Sequence, residues 1–374
     1  MTQIKACSVF AAQATILRNE LAGEQKWLES AQFQDGPYGP FARNLHGDIQ
    51  QTMANLDDLI PKSNTATLPQ SRFASLRARA TNLFSEVLAL RSVEFIRANN
   101  LDNGMCLIGD KLLAELGKAV RLEVPHLTTV AESEFFGSPS RVIRLRYPAI
   151  STWDLPVLAH EFGHSFGPLW YVERALKQHP HEIFLNSGEL GSRRVADEYF
   201  CDLLATFLLG PAYPSMCVLL RFDPTNGTDS ETHPADTKRA WWVLRGLELL
   251  AEMADADTAS DYRGIVARLR GFWGGYIAQS NAADVTETED LEASIQKLFS
   301  KLQSGLPGAA YTDPGPAWGL KRQYDKKASV TMAGGQLRHL LNAAWFARSD
   351  DVTDLRKPVQ IDKWVREFAR SAPL

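Results

Sequence analysis

The spacing of apolar residues in the first 120 residues predicts helices. Between residues 73 and 96, apolar side chains recur at intervals of three and four, which places them on one face of a helix. These positions are Leu76, Ala80, Leu83, Val87 and Leu90. No motif typical of an enzyme lies in this region. We therefore interpret residues 1–120 as a helical domain that packs against the rest of the chain or binds a protein partner.

The pattern changes between residues 120 and 150. In residues 141–148, Ile143, Leu145 and Tyr147 alternate with Arg144 and Arg146. A period of two is typical of a strand with one face in the core and one face in solvent. We predict a half-exposed edge strand, whose free edge is suited to pair with an extended peptide.

A helix is predicted directly after this strand. Ser151 and Asp154 resemble a capping box, and Pro156 fits the first turn, where no N–H is needed. This helix carries the sequence HEFGH, in which His160 and His164 are four residues apart and leave the same face. Two imidazole nitrogens are thus able to reach one metal ion.

The HEFGH sequence matches the H-E-x-x-H arrangement of zinc hydrolases. His160 and His164 are the predicted zinc ligands, and Glu161 is the predicted general base that takes a proton from a zinc-bound water. The alternative is that both histidines are core residues with satisfied hydrogen bonds. A catalytic zinc takes three protein ligands and keeps one open position, so a third ligand has to come from elsewhere in the chain.

We predict that Glu198 is the third ligand. The extended motif H-E-x-x-H-x-x-G-x-x-H would supply a third histidine, and Gly167 fits its glycine position. Trp170 stands at the position of that histidine, however, and indole does not bind zinc. Glu198 and Asp202 lie four apart on an otherwise apolar helix, where carboxylates are costly unless paired or coordinated. Asp202 is expected to accept the second N–H of a ligand histidine. The alternative is an exposed acidic stripe. Weaker alternative ligands are His179, His181, Glu189 and Asp197.

The segment THPADTKR places His233 just before a predicted helix. An imidazole near the metal is able to stabilise the negative charge that develops on a carbonyl oxygen during hydrolysis. Arg239, two helical turns later, is a candidate anchor for a carboxylate in the same site. By itself this segment is weak support, because a histidine before a proline is also an ordinary start of a helix.

The order of these three segments resembles that of the gluzincin metallopeptidases. The chain has HEFGH first, then Glu198-x-x-x-Asp202, and then Thr-His-Pro-x-x-x-x-Arg. This order is most similar to the branch with the CAAX prenyl endopeptidase, the heat-shock membrane peptidase and the soluble minigluzincins. The similarity covers residues 141–250. Cys201 replaces an alanine of that pattern, and the flanking transmembrane helices of the membrane members are missing.

The resemblance implies a fold, a cofactor and roles for the residues. It implies one catalytic zinc ion on His160, His164 and Glu198, and Glu161 as the base. It also implies Asp202 behind a ligand histidine, and His233 as the donor to the transition state with Arg239 as its partner. We expect an α+β, mostly helical fold with a zincin-like catalytic core at residues 121–255, which contains a small sheet and its edge strand. Helical regions at residues 1–120 and 256–374 would flank it.

Two further patterns affect the expected partners. Residues 203–220 carry no charge, but Gly210-Pro211 and Pro214 interrupt them, which favours two short helices over a stable membrane span. The stretch 304–319 is rich in Gly and Pro, and we interpret it as a linker or as a loop over the site.

Composition limits the remaining classes. The chain of 374 residues has a net charge of −4 and a pI of about 6.1, so a nucleic-acid partner is not expected. Its four cysteines form no C-x-x-C pair, which favours a reducing, cytoplasmic location. We therefore predict a zinc-dependent endopeptidase that acts on proteins or peptides. The alternatives are a zinc hydrolase of non-peptide amides and a binding protein that a metal ion stabilises and that has no catalytic activity.

Overall fold

The computed structural model describes residues 6–30, 38–62, 70–122, 126–131, 135–137, 141–146, 151–173, 193–280, 289–326, 337–349 and 356–371. Most of these residues are helical, and a small sheet supplies the strands. The prediction of a mostly helical α+β protein is confirmed at this level.

Long helices form the N-terminal part: α1 (Ala6–Leu28), α2 (Gly39–Lys62) and α3 (Gln70–Ala98). The apolar positions of α3 that the sequence spacing singled out are all buried, so the helix prediction for this stretch is confirmed. Their side chains join an apolar cluster that also contains Leu127 and Val142 of the sheet. The N-terminal helices therefore pack against the sheet.

Helix α4 (Met105–Ala119) follows the Asp102 carboxylate, which accepts the backbone N–H groups of Gly104 and Cys106 at 3.2 and 2.6 Å. The buried face of α4 belongs to a second, larger apolar cluster with the helices that carry HEFGH and Glu198. Although the sequence interpretation grouped α4 with residues 1–120, it packs with the residues that follow it. The domain boundaries stay a prediction.

Three strands form the sheet in the described residues: β1 (Leu127–Ala131), β2 (Phe135–Gly137) and β3 (Val142–Arg146), in the order β1-β3-β2. β3 runs parallel to β1 and antiparallel to β2. The prediction of a half-exposed edge strand over residues 141–148 is therefore wrong. β3 lies in the centre, and its first four residues are buried; Tyr147 and Pro148 lie outside the described residues.

A buried ion pair explains why the alternating pattern was misleading. Arg144, expected on the solvent side of the strand, is 4% exposed, and its guanidinium lies 3.0 Å from a carboxylate oxygen of Glu86 in α3. A charged side chain in the interior is tolerated when it is paired and hydrogen-bonded. Arg144 therefore ties β3 to the N-terminal helices.

Helix α5 (Val157–Glu173) carries the HEFGH sequence. It begins at Val157, after a turn over residues 152–156, and thus later than the capping residues predicted. The Asp154 carboxylate instead accepts hydrogen bonds from Ser151 Oγ at 2.7 Å and from Arg221 at 2.9 Å. Asp154 therefore fixes the turn before α5 to the segment around Arg221.

Helix α6 (Arg193–Leu209) contains Glu198 and Asp202 and ends at Gly210, whose φ of 59° is the left-handed conformation that favours glycine. Helix α7 (Ala212–Met216) and a π-helical turn (Cys217–Arg221) follow. The prediction that Gly210-Pro211 interrupts this uncharged stretch is confirmed. No described helix has the length and apolar character needed to cross a membrane.

The remaining helices are α8 (Asp236–Met253), α9 (Ala256–Ser280), α10 (Glu289–Gly305), α11 (Gly315–Asp325), α12 (Leu337–Ser349) and α13 (Lys357–Ser371). The Gly/Pro-rich stretch 304–319 joins α10 to α11. Its residues Leu306, Ala309 and Tyr311 are buried in the larger apolar cluster. These side chains therefore anchor the stretch to the core, and none of its residues lines the pocket described below.

Candidate metal centre

Helices α5 and α6 approach each other closely because α5 has glycines at the contact. A Cβ at Gly163 would lie only 3.0 Å from the Cα of Cys201, and one at Gly167 only 3.0 Å from the ring of Phe200. Larger side chains at these positions would push α6 away. The sequence interpretation used Gly167 only as part of a motif and did not use Gly163, although glycines four residues apart on one helix face indicate close packing.

The close approach brings both histidines of HEFGH to the carboxylate of Glu198. His160 Nε2 lies 3.2 Å from Glu198 Oε2, and His164 Nε2 lies 3.3 Å from Glu198 Oε1. The Glu198 side chain is 9% exposed and that of His160 is 6% exposed, while that of His164 is 27% exposed. The three predicted ligands therefore meet in one partly enclosed place.

The donor atoms fit a divalent metal ion. Ligand atoms ~2.1 Å from a tetrahedral zinc ion are ~3.4 Å from one another, close to the separations between Glu198 and the two imidazoles. Oε2 of Glu198 is buried and makes no hydrogen bond to the described residues. His160 Nδ1 lies 2.8 Å from Asp202, so a neutral imidazole that donates there turns the lone pair of Nε2 toward Glu198. A lone pair and a carboxylate repel at this distance unless a cation lies between them.

Cys201 offers a different third ligand. His160, His164 and Cys201 each present a ligand atom, and these atoms lie within 4.8 Å of one another, so this group could hold a metal ion. Sγ of Cys201, however, lies 3.4 Å from Nδ1 of His164, the ring nitrogen that does not face Glu198. Cys201 is 1% exposed between the two helices and does not line the pocket, whereas Glu198 does. Burial and the nearby carboxylates raise the pKa of the Cys201 thiol, which disfavours the thiolate that metal binding requires.

Asp202 is the centre of a buried network behind His160. Its carboxylate accepts two hydrogen bonds from Arg239, from Nε at 2.8 Å and from a terminal nitrogen at 2.7 Å. The hydroxyl of Tyr213 donates to the same carboxylate at 2.6 Å and lies 3.1 Å from His160 Nδ1. Asp202 is fully buried. This network fixes the orientation of the His160 ring.

The charges of the network hold both carboxylates ionised. Burial raises the pKa of Asp202, but the charge and hydrogen bonds of Arg239 outweigh it and lower the pKa to about 2. Burial acts on Glu198 in the same direction, but the charge of His160 lowers its pKa well below the usual range. Burial lowers the pKa of His160, while Glu198 and Asp202 raise it, and the net value is about 10. A proton and a metal ion therefore compete for the space between His160 and Glu198.

A pocket of about 230 Å³ opens onto these residues. It is lined by His160, Glu161, Glu198, His233 and Arg239, which all carry predicted roles. His164 contacts Glu198 from beside the pocket, and Asp202 lies behind His160. The structure thus brings together all seven predicted site residues. Of the alternative ligands, Asp197 lies in α6, and His179, His181 and Glu189 lie outside the described residues.

His233 stands at the mouth of this pocket. Its Nε2 lies 3.7 Å from Glu198 Oε1, and its side chain is 56% exposed. Nδ1 contacts the hydroxyl of Thr232 at 2.8 Å, so a proton donated by Thr232 leaves the N–H of His233 on Nε2, the atom nearer Glu198. The Ser230 hydroxyl holds the backbone of His233, because it donates to the His233 carbonyl oxygen at 3.1 Å and accepts the His233 N–H at 2.8 Å. Arg239 donates hydrogen bonds to Asp202 and lies 3.7 Å from Glu198. These contacts place Arg239 behind the metal ligands. The resemblance had instead implied that Arg239 is the partner of His233.

Tyr213 and Arg146 are residues of this site that sequence reasoning missed. Tyr213 lies in the uncharged stretch 203–220, where a tyrosine among apolar residues is a signal that its hydroxyl has a buried partner. Arg146, at the end of β3, lines the pocket, although the sequence interpretation treated it only as part of a strand pattern. No protein-family model matches this chain, and neither a curated protein nor a solved structure matches it.

Proposed function

We propose that this chain is a zinc-dependent endopeptidase of the gluzincin type. The proposal is supported above all by the convergence of His160, His164 and Glu198 beside a pocket that also contains Glu161. A structural zinc site closes its fourth position with a protein ligand and needs no base. An acidic side chain in an open pocket beside the ligands is typical of a hydrolytic site.

His160, His164 and Glu198 would hold the metal ion. When bound, zinc would lower the pKa of a coordinated water and polarise the carbonyl group of the substrate. Asp202 keeps the proton of His160 on Nδ1, so that Nε2 is free to bind the metal. Arg239 and Tyr213 keep Asp202 ionised and in place for this task.

Glu161 and His233 would act directly on the attacking water and on the substrate. Glu161 takes the proton of the attacking water and then passes it to the leaving amine. His233 donates a hydrogen bond from Nε2 to the carbonyl oxygen as negative charge develops there. Its exposed position at the mouth of the pocket allows it to contact a substrate directly.

Peptide binding along β3 is not part of this proposal. β1 and β2 occupy both edges of Val142–Arg144, so an extended peptide has no free edge to pair with there. The predicted alignment of a substrate by the edge of this strand is therefore wrong for these residues, and the pocket itself has to position the scissile bond.

The test compares Glu161→Gln with the wild type in metal content and in cleavage of a broad peptide library. We expect one zinc per chain in both proteins and a loss of about 10²–10⁴-fold in turnover for the variant. Glu20→Gln, an exposed change on α1, is the matched control and should leave turnover unchanged.

Two results would contradict the proposal. Cleavage by Glu161→Gln at the wild-type rate would remove the assigned base. Turnover that depends on Glu161 but occurs only with non-peptide amides would show the alternative zinc hydrolase instead. Glu198→Ala should lose zinc, and retention of stoichiometric zinc by that variant would remove Glu198 from the ligand set.

A further inference from the structure

Arg146 places a positive charge in the pocket next to the metal centre. It is the last residue of β3, it is exposed, and it lines the same pocket as His160, Glu161 and Glu198. Its guanidinium makes no ion pair or hydrogen bond with the described residues. Arg146 therefore has its hydrogen-bond donors available to a molecule that enters the pocket.

The other arginines of the pocket differ from Arg146 because they already have acidic partners. Arg221 pairs with Asp154 at 2.9 Å, and both side chains are mostly buried. Arg239 forks onto Asp202. These two cations are neutralised inside the protein, so they contribute little to the attraction of a charged ligand.

The carboxylates of the pocket also have other tasks. Glu161 and Glu198 belong to the proposed catalytic centre, and Asp236 accepts the backbone N–H of Asp223 at 3.0 Å. None of them forms an ion pair with Arg146 in the described structure. Within the described residues Arg146 thus has no acidic partner, so its charge is available to an anion that enters the pocket.

The backbone of Arg146 is held in place, which makes the side chain suitable for recognition. It is paired with Ala131 of β1 in the sheet, and two residues earlier Arg144 is anchored to Glu86 by the buried ion pair. Apolar side chains of Val157, Met216 and Phe222 line the same pocket. An apolar wall with a guanidinium beside it suits a short aliphatic stem that ends in a carboxylate.

We infer that Arg146 binds a carboxylate of the substrate and makes the site selective for acidic peptides. This role rests on the proposed hydrolase function and specifies its substrate class. The carboxylate comes either from an Asp or Glu side chain near the scissile bond or from the C-terminus of the peptide. Arg146 is a specificity-determining residue in this scheme and takes no part in proton transfer.

The experiment uses amidated fluorogenic peptides in which one Glu is moved along a neutral sequence, with matched Gln and Lys peptides. For the wild type we expect the best Glu peptide to have a kcat/KM about tenfold above its Gln counterpart, the effect of one hydrogen-bonded charge pair. Arg146→Gln should remove this difference, and Arg146→Glu should make the Lys peptide the best substrate. Arg268→Gln, an exposed change on α9, is the control and should keep the preference.

A second set of peptides distinguishes the two sources of the carboxylate. Neutral peptides with a free C-terminus are compared with the same peptides in amidated form. A preference for the free terminus that depends on Arg146 shows recognition of the chain end, whereas a preference only for internal Glu shows recognition of a side chain. Equal cleavage of Glu and Gln peptides and of free and amidated peptides by the wild type would overturn the role of Arg146.

Binding measurements separate this inference from the proposed function. The zinc-loaded Glu161→Gln protein is titrated by calorimetry with the Glu and Gln peptides, with and without Arg146→Gln. Tighter binding of the Glu peptide that disappears with Arg146→Gln supports the inference even if no turnover is found, while equal binding or no binding overturns it. Zinc content and cleavage of neutral peptides test the hydrolase by themselves.

Discussion

The two histidines of HEFGH lie in different surroundings, and the comparison divides the metal centre into an inner and an outer side. The inner side consists of His160, Asp202, Arg239 and Tyr213, which are joined by hydrogen bonds of 2.6–3.1 Å. The outer side consists of His164 and His233, with side chains that are 27% and 56% exposed. Glu198 lies between the two sides and contacts both.

This difference separates the residues that fix the orientation of His160 from the residue, His233, that would contact a substrate. On the inner side every charge is buried and paired, so the orientation of His160 is determined by the protein. On the outer side His233 is free to exchange solvent for a substrate oxygen, which catalysis requires. Substitutions on the inner side should therefore affect folding and metal binding. On the outer side, substitution of His233 should affect turnover alone, whereas His164 is a proposed metal ligand and its substitution should also remove zinc.

Asp202→Ala should have the largest effect. It leaves the buried guanidinium of Arg239 and the Nδ1 atom of His160 without their carboxylate, and removal of one partner of a buried ion pair costs about 3–5 kcal/mol. Urea denaturation should show this loss in the free energy of unfolding, together with loss of zinc. Asp261→Ala, an exposed change on α9, is the control and should change the free energy by no more than about 0.5 kcal/mol. A stable, zinc-loaded Asp202→Ala protein would show that the inner network does not hold His160.

His233→Gln should have the next largest effect, and only on turnover. Loss of one donor to the developing negative charge lowers kcat by about 10²-fold. Because His233 contacts Glu198 only at 3.7 Å, zinc content and the midpoint of urea denaturation should stay at wild-type values. Steady-state kinetics and metal analysis measure the two quantities. Loss of zinc in this variant would place His233 among the metal ligands and would contradict the division into two sides.

Tyr213→Phe tests the inner side with a smaller change. It removes one hydroxyl that donates to Asp202 and keeps the ring that stacks on His160 at 6.3 Å between ring centroids. Loss of a group that orients a metal ligand weakens metal binding by about tenfold. Competition with a chromogenic chelator measures the zinc affinity. Tyr311→Phe, which removes a hydroxyl bonded to His339 outside the centre, should leave that affinity unchanged.

The residues of the centre were predictable because their chemistry depends on spacing along helices. His160 with His164, and Glu198 with Asp202, are each four residues apart, and this is sufficient to place each pair on one helix face. The spacing does not say that the two faces meet. That depends on the close packing of Gly163 against Cys201 and on the paired charges of Arg239 and Asp202, which are far apart in the sequence.

The strand was predicted less well because its pattern depends on tertiary partners. An arginine at every second position normally indicates a solvent-exposed face, but Glu86 of a distant helix neutralises Arg144 in the interior. The position of β3 between β1 and β2 is likewise determined by the sheet order and has no signal in the strand itself. Arg146 was overlooked for the same reason, since its place in the pocket follows from the sheet.

Cys201→Ala should have the smallest effect. This variant decides whether His164 binds the metal through Nε2, which faces Glu198, or through Nδ1, which faces Cys201. If Glu198 is the third ligand, the thiol only packs between the helices, and zinc affinity should change by no more than about twofold. Cobalt substitution gives an independent measurement, because a thiolate ligand adds an intense charge-transfer absorption in the near ultraviolet that carboxylate and imidazole ligands do not give. Loss of zinc in Cys201→Ala, with a thiolate band in the wild-type cobalt protein, would show that His160, His164 and Cys201 form the metal site. In that case Glu198, which lines the pocket, would not be a metal ligand, and the division of the centre into an inner and an outer side around Glu198 would be wrong.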